Sequence, residues 1–344
     1  MTARLELRSD NVAGAHPRVL ELMVEANGGS GPAYGADAWT ARAESWFRDH
    51  FGGDTASFLV WNGTGANVSA LRAMTRPWQA VITSEHAHIH VDECGAPELL
   101  AGVKLIDLPS PDAKLTPEQV REAGLHGVGF EHHVQPRVVS LTQTTEYGTA
   151  YSVAELTAIC AAAHEVGVLV HVDGARIANA AATLGQSLRA ITRDAGVDVL
   201  SFGLTKNGAV GAEAVVFLAP DLAREFRYIR KQGTQLASKM RFLAAQVVAL
   251  AEDDLWLVNA RHANAMARRL AEGIRDLPGV TITQRVEANG VFAILDAATH
   301  ARFAAHADFY VWNESTNEAR LMTSWATTEA EIDAFLEAIV RREA

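Results

Sequence analysis

The stretch "SVAELTAICAAAHEVG", residues 152–167, runs directly into "VLVHV", residues 168–172, and this junction constrains the fold most. Ser152 followed three residues later by Glu155 forms a capping-box pattern, so a helix starts there and stops at Gly167. The short β-branched run that follows is apolar apart from His171. It reads as a strand covered on both sides, as in a parallel sheet.

The same alternation recurs through residues 16–220. "HPRVLELMVEANGG" places Pro17 in a first helical turn, and "WTARAESWFRDHFGG" repeats the plan. "AVIT" (80–83), "PRVVSLT" (136–142) and "VDVLSFG" (197–203) read as further strands. "AEAVVFL" (212–218) follows so closely that an antiparallel strand is expected. The predicted class is α/β, a mainly parallel sheet with helices on both faces.

Beyond residue 221 the pattern changes. Three helical patterns, "DLAREFRYIRKQG", "QLASKMRFLAAQVVALAED" and "LWLVNARHANAMARRLAEGIRDL", precede the short strands "GVTITQ", "GVFAIL", "FYVW" and "ARLMTSW". "TEAEIDAFLEAIVRR" closes the chain as a helix. The expected division is a large domain over 1–250, with residues 1–15 as an arm reaching the active site, and a smaller α+β domain over 251–344.

A net charge of −11 argues against a nucleic-acid surface, which needs a basic stripe. No apolar run approaches the roughly 20 residues of a membrane span, and "MTARLELRSDN" has no signal-peptide core, so a cytoplasmic protein is expected. Cys94 and Cys160 form neither a disulfide framework nor a zinc-ligand spacing, and no metal is expected.

In open α/β sheets, ligands bind beyond the carboxyl ends of the strands. "VLVHV" ends on Asp173, and "VDVLSFG" ends on Thr205-Lys206-Asn207-Gly208. Burial disfavours an ammonium, so a lysine there is poised to be a neutral nucleophile. In "FLVWNGTGANVSAL" a strand leads through Gly63-Thr64-Gly65 to a helix expected near Ala66, whose start suits a phosphate. Taken alone, that turn is equally compatible with a plain strand–helix corner, and Asp173 with a turn residue. Together the three features suit pyridoxal phosphate: phosphate at the helix start, aldehyde at the lysine, ring nitrogen at the carboxylate.

The resemblance is then specific. "RSDN", "AYGADAWT", "NGTGAN", "AHIHVDECGAPE", "LTQTTEYGT", "HVDGAR", "LSFGLTKNG", "KQGTQLASKMRFL", "VEANGVF" and "ARLMTSW" occur in order along nearly the whole chain. The chain resembles the fold-type I pyridoxal-phosphate enzymes and, among them, the low-specificity L-threonine aldolases. That resemblance implies that Lys206 bonds the cofactor aldehyde, Asp173 pairs with the ring nitrogen and Arg176 sits on the ring's hydroxyl side. Gly63, Thr64 and Gly65, assisted by Thr205 and Asn67, would hold the phosphate, and His88 would stack on the ring. Ser9 and Arg320 match residues that bind the substrate carboxylate. Tyr34 and Arg176 would also contact the substrate and Arg241 the cofactor; Tyr34 and Arg241 match positions at a subunit interface, implying a homodimer or homotetramer with shared active sites.

The implied reaction is retro-aldol cleavage of threonine and related β-hydroxy-α-amino acids to glycine and an aldehyde. The segment where many relatives carry a histidine reads "TQTTEYG" here, which leaves His88, His133, Glu146 or a water as the base, His88 being favoured. Two other readings stand beside it. One keeps the cofactor but performs β-elimination, transamination or hydroxymethyl transfer. The other is a non-catalytic phosphate-binding module, which leaves Lys206 and Asp173 unexplained.

Overall fold

The computed structural model describes residues 4–340. The first three residues of the expected arm, and Arg341 and Arg342 of the expected closing helix, lie outside that range. The strands in chain order are β1 (Leu5–Glu6), β2 (Ala56–Val60), β3 (Gln79–Ser84), β4 (Lys104–Leu108), β5 (Gln135–Thr142), β6 (Leu169–Gly174), β7 (Val199–Gly203) and β8 (Glu213–Phe217). They continue with β9 (Val280–Ile282), β10 (Gly290–Leu295), β11 (Ala307–Asp308), β12 (Tyr310–Asn313) and β13 (Glu318–Met322).

Seven strands form the main sheet in the order β2-β8-β7-β6-β5-β3-β4. β3 to β7 run parallel, and β8 is antiparallel to both β7 and β2, as its short connection requires. Alternation along the strands splits the core. Val139, Leu200 and Val216 face one helical layer, whereas Val138, Val199 and Val215 face the other. The junction at residue 152 is as the sequence predicts: Ser152 and Glu155 cap each other's backbone and the helix covers Val153–Glu165.

Elsewhere the structure corrects the reading. Helix Gly63–Met74 begins three residues before the expected Ala66, because the Asn62 side chain caps it by accepting the Gly65 N–H at 2.7 Å. The first two long helical patterns are cut to Phe226–Gln232 and Arg241–Ala251. The first loses its start, where Pro220–Ala223 form a separate 3-10 turn, and the second starts late after Thr234, whose φ of 61° is a left-handed conformation that no helix continues. The third pattern is helical over Leu255–Ile274.

β12, β13, β10 and β9 form a separate antiparallel sheet. Its own apolar core includes Leu270, Ile274, Phe303 and Phe335. Leu5 and Leu7 join this core, and β1 pairs in parallel with β11, so the N-terminal segment is tied to the far end of the chain. Among the described residues no helix is long and apolar enough to cross a membrane, and no group of three metal-ligating side chains occurs.

Candidate active site

The parallel strands end at one edge, where Thr142 of β5 is level with Asp173 of β6, and Asp173 with Ser201 of β7. A cleft opens there in two adjoining lobes, about 420 and 350 Å³. Both are lined by Gly63, Thr64, His88, Asp173 and Lys206. Lys206 lies in the single helical turn Thr205–Asn207 directly after β7. Gly203, at the end of β7, is packed so closely that an added Cβ would lie 2.4 Å from the Ala175 carbonyl oxygen.

The polar groups form two chains. In the first, Asp173 accepts the Ala175 N–H at 2.9 Å and the Asn67 amide at 2.7 Å. Asn67 also donates to Glu93 at 3.0 Å, and Glu93 meets His88 Nδ1 at 3.0 Å. That bond to buried Glu93 raises the pKa of His88. In the second chain Arg176 clasps buried Asp10 through two bonds of 2.7 and 2.9 Å, and Asn289 adds a third at 3.0 Å. Burial works against ionisation of Asp10, but Arg176 and Lys206 hold its pKa at about 2.

Burial, then the Arg176 guanidinium, lowers the pKa of Lys206. Glu213 lines the same lobe; burial pushes it up to about 7, and its carboxylate accepts the Leu204 N–H at 2.6 Å. Glu146 is likewise raised to about 7 by burial. Across the cleft Arg320 makes no ion pair among the described residues and donates only to the Arg8 carbonyl, at 3.3 Å. Its guanidinium lies over Trp312, 4.7 Å from the ring centroid, and burial lowers its pKa to about 10. A cation left unpaired on an aromatic face is ready for an incoming carboxylate.

Most of the residues singled out from the sequence meet here. Lys206, Asp173, Asn67, His88, Gly63, Thr64, Ser9, Arg176 and Arg320 line the larger lobe, and Thr205 the smaller. Gly65 lies in the adjacent first helical turn but lines neither lobe; a Cβ there would collide with Gln235 at 2.4 Å. Tyr34 and Arg241 stay outside: Tyr34 is exposed, and Arg241 reaches the Ala26 and Gly29 carbonyls at 3.3 Å. Of the three side chains weighed as a base, His88 and Glu146 line the cleft. His133 does not; it is exposed and stacks near His126.

Sequence reasoning missed Asp10, Glu93, Glu213 and Trp312. Glu213 carries a legible signal, an acid inside the apolar run "AEAVVFL". Glu93 follows a helix of only four residues, too short for any periodicity to display.

The family described as beta-eliminating lyase matches residues 6–298. A low-specificity L-threonine aldolase of Pseudomonas aeruginosa is 48% identical over 324 residues, 94% of this chain and 93% of its own. Another, from a Pseudomonas species, is 45% identical over 95% of this chain and 94% of its own. A solved threonine aldolase of Leishmania major is 32% identical, with a TM-score of 0.91 over 97% of this chain and 98% of that one. The strand-end lysine and aspartate thus belong to a chain matched to these proteins almost end to end, and it is a member of the beta-eliminating lyase family, in the group of the low-specificity L-threonine aldolases.

Proposed function

We propose that the cleft binds pyridoxal 5′-phosphate and cleaves L-threonine, L-allo-threonine and related β-hydroxy-α-amino acids to glycine and an aldehyde. The observation that carries this reading is the convergence of Lys206, Asp173 and unpaired Arg320 on one cleft. The residues present suit the cofactor. The N–H groups of Gly63 and Thr64, in the first turn of a helix, precede its own hydrogen-bond ladder and are free for a phosphate. Thr205 lines the smaller lobe with them.

Once bound, the cofactor would supply the electron sink into which the Cα–Cβ bond breaks. Lys206, its charge disfavoured by burial, is the amine for the cofactor's aldehyde. Asp173, fixed by Asn67 and the Ala175 N–H, would face the ring nitrogen. Arg176 is locked by Asp10 on the ring's hydroxyl side, and His88, held through Nδ1 by Glu93, would lie against the ring. Arg320 and Ser9 would take the substrate carboxylate, with Arg320 offering paired donors.

The proposal includes a cytoplasmic homodimer or homotetramer in which Tyr34 and Arg241, remote from their own cleft, approach that of a neighbour. Light scattering on the purified protein measures that state, and a monomer at working concentration contradicts it. Activity is tested by incubating the holoenzyme with L-threonine, L-allo-threonine and L-serine and identifying the products. Acetaldehyde with glycine supports the aldolase; a keto acid with ammonia from threonine refutes it.

A further inference from the structure

The geometry points to Glu146, rather than His88, as the group that takes the β-hydroxyl proton of the substrate; this rests on the aldolase reading above. Glu146 lines the cleft with Asp173, Lys206 and Arg320. Its Oε1 is anchored twice, accepting the Thr142 hydroxyl at 2.7 Å and the His88 backbone N–H at 2.9 Å. Its Oε2 is shut from solvent and has no partner. A buried carboxylate oxygen without a donor is costly unless something that donates occupies the neighbouring space. A substrate hydroxyl is such a donor.

The surroundings suit proton transfer near neutrality. Burial, and to a smaller extent nearby Asp173, raises Glu146 to about 7 against the Thr142 hydroxyl, its own backbone N–H and the His88 N–H. Arg176 faces it as the cation, and Tyr147 and Tyr151 flank it on its own segment. His88 is worse placed for this proton. Its Nδ1 is committed to Glu93, and that bond raises the imidazole pKa, which favours the charged ring over the neutral base.

In the step itself the hydroxyl O–H bond breaks and its proton goes to the Glu146 carboxylate. The bonding pair left on oxygen becomes the second C–O bond of the aldehyde as Cα–Cβ breaks. Glu146 then yields the proton to water while Cα takes one up to complete glycine, so none is gained or lost overall.

Glu146→Gln keeps the size and the Oε1 acceptor but cannot take the proton. In the reconstituted variant the cofactor's visible band and the exchange of glycine α-protons into heavy water should persist. Threonine cleavage should fall at least about 100-fold, the usual worth of a general base. The fall of kcat/KM below pH about 7 should also vanish with it. In the cofactor-free protein, infrared titration should show protonated carboxyl absorption that disappears near pH 7 and is weaker in Glu146→Gln, where only the Glu213 share is left. Cleavage near the wild-type rate, or equal loss of cleavage and α-proton exchange, overturns the assignment, as does an infrared band unchanged by the substitution. A wild-type protein with no cofactor band sinks the aldolase reading instead.

Discussion

Asp10 is a single carboxylate on which the cleft's cationic side depends. It sits 166 residues from Arg176 in sequence, yet the pair is buried together and joined by two bonds. Asp10→Asn preserves the volume but leaves the guanidinium facing a neutral amide. Breaking a buried pair in this way costs about 3 kcal/mol or more, read as a lower urea midpoint with an unchanged slope. The contribution of Asp10 is present above its ordinary 3.8 and is lost as pH falls through about 2. His171 is the other silent partner, set between the Ser140 and Ser201 hydroxyls at 2.9 and 3.0 Å and held down to about 4 by burial. His171→Ala strands both hydroxyls and should cost on the order of 2 kcal/mol or more in the same measurement. Neither role was legible in sequence. A residue type announces that it can ionise; its partner is chosen by the topology.

At the scale of elements the sequence spoke more clearly, because caps and alternation are local. The capping box at Ser152 and the close return of β8 were both readable. The helix start at Gly63 was misplaced because glycines mask a helical turn, and the deciding feature was the Asn62 side chain just before them. Asn62→Ala should destabilise the protein by about 1 kcal/mol and weaken affinity for the cofactor's phosphate, seen as a raised dissociation constant for pyridoxal phosphate. Gly203→Ala should do more. Its methyl would meet the Ala175 backbone, which cannot swing aside as the Gln235 side chain can beside Gly65. The expected result is a lower melting temperature and loss of cofactor binding, because the turn carrying Lys206 starts two residues on.

For the whole molecule, we propose that the division between 1–250 and 251–344 holds for folding units, with the N-terminal segment crossing to the second core. Two buried carboxyls set the alkaline side of stability. Glu146 and Glu213 are both raised from 4.5 to about 7, so what they contribute is complete below 4.5 and is lost as pH climbs through about 7. Asp10 and His171 work in the other direction as pH falls. Glu213→Gln should therefore raise the melting temperature relative to wild type more above pH about 7 than below 4.5, and an equal shift at both pH values would count against this account. The sheet, its strand ends and most cleft residues were readable because parallel strands concentrate function at one edge. The electrostatic links among them were not, since they join β-strands and loops far apart in the chain.

The most direct test is to reconstitute the protein with pyridoxal phosphate, reduce it with borohydride and map the modified residue by mass spectrometry. The cofactor's mass is expected on Lys206, and none on the Lys206→Ala variant. Label on another lysine, or an unlabelled Lys206 in protein that cleaves threonine, would contradict it.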